Sequence, residues 1–163
     1  MEQNISSDLK NYVIYYPNGQ IKEEGRYYID EIGLDDIEEF QVPIGKWRGW
    51  YENGKKEYIE EFNEKGENDG SFIYWNEDGI KTREWFYKKG QKHGPFKMWY
   101  RDGKKSKETT YIEGKKDGLT CEWYANGNRK MKTTFKKGLK NGIYTEWNEN
   151  GERLLKVNLL LEF

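Results

Sequence analysis

The amino-acid sequence predicts an all-β protein, an elongated single-sheet array of about six tandem antiparallel β-hairpins with an acidic insertion after the first. Three observations predict it. The dipeptide Asn-Gly or Asp-Gly recurs at 18–19, 53–54, 78–79, 102–103, 126–127 and 150–151. Four residues before each of these glycines stands an aromatic (Tyr15, Trp50, Trp75, Trp99, Trp123, Trp147), and eight residues after it stand Tyr27, Phe62, Tyr87, Tyr111, Phe135 and Leu159. The third is composition: 7 Trp, 13 Tyr, 7 Phe and 18 Gly in 163 residues, with a single alanine, Ala125. Alanine is the best helix former and glycine among the worst, so this mixture disfavours helices. Chains rich in aromatics are not disordered, and 34% apolar residues are too few for a large aliphatic core.

Each element follows from its residues. Asn-Gly between β-forming runs is the strongest short hairpin signal and predicts a type I′ turn, with positive φ at both central residues. A second punctuator, GENDG (66–70), GQKHG (90–94), GKKDG (114–118) and GLKNG (138–142), suits a tight link to the next hairpin. Runs such as PFKMWY (95–100) and KSKETTY (105–111) between punctuators read as strands, about twelve in one meander. The predicted organisation is a tail (1–11), repeat 1 (12–28), an insertion (29–44), then repeats at 45–69, 70–93, 94–117, 118–141 and 142–163. The last of these includes a cap. The column Tyr15, Trp50, Trp75, Trp99, Trp123 and Trp147 is read as a structural ladder within the array. Strict alternation puts Phe72, Phe96 and Tyr144 on the face opposite Trp75, Trp99 and Trp147, so either both faces carry aromatics or a bulge resets the parity.

Two segments depart from the repeat. Residues 29–44 hold Asp30, Glu31, Asp35, Asp36, Glu38 and Glu39 and no basic residue, and are expected to form a solvated loop or short helix. The aliphatic end, with Leu155, Val157, Leu159 and Leu161, is expected to shield the open end of the array by folding back or by pairing with a second copy. Net charge is also uneven: residues 1–69 carry −9 and residues 70–163 carry +8. Such polarity steers a charged partner to one end or pairs copies head to tail.

No constellation for catalysis emerges, and the chain is read as a non-enzyme without cofactor or metal. The only histidine, His93, aligns with Asp69, Asp117 and Asn141, which are turn formers. None of the four serines stands in a nucleophile elbow, and Cys121 falls in a strand column with Ile73, Lys97 and Thr145. The acidic insertion does not have the spacing of an EF-hand. The candidate partner-binding residues are Trp47, Trp85, Asp35, Asp36, Glu38 and Glu39. Trp85 stands where other repeats have Gly25, Glu60, Thr109, Thr133 and Val157, so packing does not call for an aromatic there, and exposed tryptophans are favoured at binding hot spots. Lysines interleaved with aromatics over residues 88–140 resemble a nucleic-acid surface, but an isoelectric point near 6.0 argues against a dedicated binder. The opening MEQNISSDLKNYV lacks a signal-peptide pattern, which predicts a cytoplasmic protein; an exported or envelope protein is the alternative if a leader has been removed.

The unit Gly-x-aromatic-x-x-Trp-Tyr-x-Asn/Asp-Gly, followed by a Glu- or Lys-bearing strand and Gly-x-Lys-x-Gly, resembles the MORN-variant repeat. Gly94, Phe96, Trp99, Tyr100, Gly103, Glu108, Tyr111 and Gly114 carry the likeness, with their equivalents at 118–138 and 142–159. The chain is similar to bacterial YwqK-type antitoxins. That resemblance implies a hairpin array that binds another protein, in some members a toxin in an immunity role. It also implies an alternative, an envelope-associated scaffold binding anionic membrane. No catalytic residues come with it.

Overall fold

A computed structural model describes residues 9–31 and 39–159, and in them every long element is a strand. The chain forms one antiparallel meander. Its long strands are β1 (Lys10–Tyr15), β2 (Ile21–Glu31), β3 (Glu39–Trp50), β4 (Lys56–Phe62), β5 (Gly70–Trp75), β6 (Lys81–Lys88), β8 (Gly94–Trp99), β9 (Lys105–Ile112), β11 (Gly118–Trp123), β12 (Arg129–Lys136), β14 (Gly142–Trp147) and β15 (Arg153–Leu159). Three two-residue return strands, β7 (Gln91–Lys92), β10 (Lys115–Lys116) and β13 (Leu139–Lys140), fold back on β6, β9 and β12. No second layer covers the sheet among the described residues. The accessible surface, 11280 Å², compares with about 8,600 Å² for a compact chain of this mass.

The turns at the dipeptides are not the type I′ turns that Asn-Gly predicts. At the Asn-Gly and Asp-Gly sites only the glycine has positive φ, +81 to +92°. Gly19 N–H donates to the Tyr16 carbonyl at 2.9 Å and Tyr16 N–H to Gln20 at 2.8 Å. This is a type I turn closed by a glycine bulge, which Asn-Gly serves as well as it serves type I′. The type I′ geometry occurs at the return turns instead, where Lys89, Glu113 and Lys137 have φ of 48–50° ahead of Gly90, Gly114 and Gly138. A side chain with a Cβ is strained there and asparagine is tolerated best. Lys89→Asn is therefore expected to stabilise the protein by about 0.5–1 kcal/mol, seen as a higher urea midpoint at unchanged slope.

Both faces carry aromatics, and a bulge is present as well. In every hairpin the second strand holds one extra residue: Lys22, Glu57, Thr82, Ser106, Lys130 and Leu154. First strands alternate strictly, so Phe72 and Tyr74 share one face and Trp75 lies on the other. The bulge brings Lys81 onto the same face as Glu84, three residues on. We call the side bearing Phe72, Trp85 and Phe96 the aromatic face, and the side bearing Trp75, Lys81 and Glu84 the charged face.

Neighbouring hairpins meet over only two registered positions each from β4 onward. Two ladders staple them together. Along the turn edge, the Tyr16, Tyr51, Tyr100 and Tyr124 hydroxyls donate to the carbonyls of Trp50, Trp75, Trp123 and Trp147, at 2.6–2.9 Å. Along the return edge, Gly90, Gly114 and Gly138 donate N–H groups to Asn68, Lys92 and Lys116. The third hairpin breaks the tyrosine ladder, because Asn76 stands there, with a buried Nδ2 that has no acceptor. Asn76→Tyr supplies the missing hydroxyl to the Trp99 carbonyl and removes the orphan donor, but it gives up the N–H bonds that Asn76 Oδ1 accepts from Asp78 and Ile80 at 3.1 and 2.9 Å. Gain and loss nearly offset, and unfolding by denaturant is expected to shift by less than about 0.5 kcal/mol.

The insertion is corrected in part. Residues 29–31 and 39–44 are not loop or helix but the paired ends of β2 and β3, with Glu31 opposite Glu39. Asp35, Asp36 and Glu38 lie outside the described residues. At the other end, β15 is an edge strand that pairs, among the described residues, with β14 alone. Leu155 is exposed, Val157 and Leu159 are half-buried, and Leu161 lies outside the described residues.

Candidate binding surface

The aromatic face is built by register. Across the sheet, Trp47 faces Glu60, Phe72 faces Trp85 and Phe96 faces Thr109. Rings from successive strands touch: Phe62 meets Phe72 at 5.6 Å, Phe72 meets Tyr87 at 4.8 Å, Tyr74 stacks on Trp85 at 5.1 Å and Trp85 on Phe96 at 5.7 Å. Lys92, from a return strand, lies 5.5–5.8 Å from the rings of Trp85, Phe96 and Tyr111, within cation–π range. Trp85 is thus packed between two rings, which the bare column comparison did not reveal. Its Nε1 is enclosed without an acceptor, so ring stacking and the Lys92 cation, not a hydrogen bond, hold this indole.

Trp47 is held differently. Its Nε1–H donates to the Arg26 carbonyl at 3.0 Å, its ring sits on Gly25, and Tyr12 packs 5.1 Å away. Beside it opens a cleft of about 230 Å³ lined by Glu23, Tyr58, Glu60 and Phe62 with Gln41 and Pro43. Tyr58 donates to Glu23 and Tyr74 to Glu60. Burial first, then those carboxylates, pushes both phenols far above their ordinary range, so they remain donors at any physiological pH. Glu39 is described only as the β3 residue opposite Glu31.

Towards the C-terminus the aromatic face narrows to threonines. Thr109, Thr120 and Thr133 are 1%, 0% and 0% exposed. Thr109 and Thr120 share a hydroxyl hydrogen bond of 2.5 Å, whereas the Thr133 hydroxyl has no partner. The isosteric changes should therefore diverge. Thr120→Val is expected to cost about 1–2 kcal/mol, and Thr133→Val to be neutral or to stabilise by up to about 1 kcal/mol, both read by urea unfolding.

The charged face has its own order. Trp50, Trp75, Trp99, Trp123 and Trp147 each pair with a cation on the neighbouring strand: Lys56, Lys81, Lys105, Arg129 and Arg153. These tryptophans are half-buried, and Lys81, Lys105 and Arg129 reach across to the rings of the next hairpin, Trp99, Trp123 and Trp147, so the ladder occupies one open face rather than an enclosed interior. In the third and fourth hairpins the cation also reaches a carboxylate: Lys81 to Glu84 at 3.1 Å and Lys105 to Glu108 at 3.0 Å. In the fifth and sixth that carboxylate is replaced by Lys132 and Lys156. Sequence reasoning missed this cluster, although aligning the column Glu84, Glu108, Lys132, Lys156 exposes it.

His93 links β7 to β8 and donates its backbone N–H to Phe86 at 2.8 Å. Cys121 is a buried strand residue whose thiol burial pushes up. No cluster of three or more His, Cys, Asp or Glu that could hold a metal occurs among the described residues.

The family described as MORN repeat variant matches residues 10–30, 43–64, 92–113 and 116–137, just over half of the chain. The chain belongs to the MORN repeat variant family. No curated protein matches it. The unmatched hairpins β5–β6 and β14–β15 keep the MORN register, with the same bulge one residue after the strand begins. As a MORN-repeat array the chain is a non-catalytic scaffold and a protein-interaction module.

Proposed function

We propose that this MORN-repeat protein binds a toxin and neutralises it in an immunity-like role, gripping its partner on the aromatic face between Trp47 and Trp85. The observation that carries the binding surface is the run of rings from Tyr12 to Tyr111, over which the described residues place no second layer. Tryptophans held rigidly at a half-exposed surface supply contact area at little entropic cost, the property of interface anchors. The choice of a toxin as partner rests on the likeness of the repeat to YwqK-type antitoxins.

Crosslinked affinity capture from the native host, read by mass spectrometry, tests it. One protein is expected to be recovered repeatedly, to be lost with Trp47→Ala, and to arrest growth when expressed without this chain. A recovered partner that is harmless on its own removes the immunity role and leaves the binding module. Repeated capture of no protein, combined with salt-sensitive flotation on anionic vesicles, would replace the proposal with a membrane scaffold.

A further inference from the structure

We propose that the two C-terminal hairpins carry, on the charged face, a docking groove for an acidic, extended segment of a protein partner. This rests on the protein-binding reading above and adds a second point of attachment, on the opposite face of the sheet, and the chemistry that holds the partner there. The groove encloses about 730 Å³, and its walls include Arg129, Lys132, Arg153 and Lys156 with Leu119 and Ile143.

The argument begins with the repeat itself. Where the third and fourth hairpins neutralise the tryptophan-paired lysine with a carboxylate three residues on, the fifth and sixth place a second cation. Like charges at neighbouring sheet positions destabilise a fold. This one nevertheless makes the change twice, side by side. Lys132 faces Thr145 and Thr145 faces Lys156, so the lysines stand two strands, about 10 Å, apart. Arg129 and Arg153 flank Trp147 in the same way. All four cations are exposed, and none has an ion pair among the described residues. The missing negative charge is what a ligand would bring.

The rest of the lining says what kind of ligand. Leu119 and Ile143 are 48% and 51% exposed in the same groove. A ligand with both carboxylates and apolar side chains satisfies cations and leucine together, and an extended acidic segment of a protein has both. A single-stranded nucleic acid needs a free aromatic platform, but Arg129 already lies 5.7 Å over the Trp147 ring.

The test uses the full chain and a fluorescein-labelled octapeptide of alternating Glu and Val, with the Gln–Val peptide, an eight-nucleotide oligo-dT and phosphatidylglycerol vesicles as comparators. Two variants of equal charge change are compared, Lys132→Glu/Lys156→Glu and Lys88→Glu/Lys89→Glu. The first is expected to weaken binding of the acidic peptide at least about tenfold and the second less than about twofold. The groove variant should not unfold. Its restored pairs are expected to leave the thermal midpoint unchanged or raise it by about 1–3 °C. Equal loss in both variants, tighter binding of oligo-dT or vesicles at the same salt, or no binding by the wild-type chain would overturn the proposal. So would self-association of the wild-type chain abolished by the groove variant, which assigns the groove to a second copy. If a captured partner still binds the groove variant, the groove falls and the protein-binding reading stands. If the peptide selects the groove but no host protein is captured, the reverse holds.

Discussion

Phe72→Ala is expected to lower the stability of the array by about 3 kcal/mol and to split its unfolding into two steps. Phe72 is 5% exposed, one of few apolar side chains so enclosed among the described residues. Large-to-small changes at such aromatic sites cost about 3–5 kcal/mol, and the lower figure applies because an open face lets neighbouring rings move in. The position matters more than the sum. Phe72 belongs to β5 and touches Phe62 on β4, in the preceding repeat, as well as Tyr87 on β6. Beyond the Tyr51–Trp75 and Tyr74–Glu60 hydrogen bonds, the sheet register joins those two repeats at Tyr58–Tyr74 and Ile59–Ile73. In a repeat array, stability is a sum of unit and nearest-neighbour terms, so removing the ring weakens one interface and lets the N-terminal hairpins melt ahead of the rest. Tryptophan fluorescence and far-ultraviolet circular dichroism should then give different urea midpoints in the variant. A single coincident transition shifted by less than 1 kcal/mol would show that Phe72 does not couple the repeats.

The hairpin array was legible because its signals are local and periodic. The Asn-Gly and Asp-Gly dipeptides and the Trp column recur at one spacing, and a strand pair with its turn lies within about twenty residues. Turn type was not legible, since Asn-Gly satisfies both a type I′ turn and a type I turn with a glycine bulge; the pairing of Tyr16 with Gln20 decides between them. The bulge residues Lys22, Glu57, Thr82, Ser106, Lys130 and Leu154 have no common chemistry, so no residue pattern marks them. The tyrosine ladder escaped because each hydroxyl bonds a carbonyl 23 or 34 residues away, or 24 in the case of Tyr51, in another repeat. Trp85 shows the limit of column comparison. Its siblings Thr109 and Thr133 are almost fully enclosed, so a position that takes an indole beside Tyr74 takes a small buried side chain one and two repeats on.

The second large effect concerns Trp47 and is reached through a glycine. A Cβ on Gly25 would lie 2.3–2.7 Å from three atoms of the Trp47 indole, closer than real contacts allow. The ring cannot simply rotate away, because its Nε1–H is bonded to the Arg26 carbonyl at 3.0 Å and Tyr12 packs 5.1 Å from it. Gly25→Ala therefore forces the indole off the sheet, breaks that hydrogen bond and opens the wall of the Glu23–Tyr58 cleft. The expected cost is about 2–3 kcal/mol, within the range of overpacking, with a shift in tryptophan emission and loss of the captured partner. A double-mutant cycle separates this from a backbone effect. In a Trp47→Ala background the clash is gone, and alanine suits a strand better than glycine. There Gly25→Ala should cost less than about 0.5 kcal/mol or stabilise, giving a coupling energy of about 2 kcal/mol. Additive costs in the two backgrounds would mean that Gly25 is required by its backbone, and that Trp47 is not seated by it.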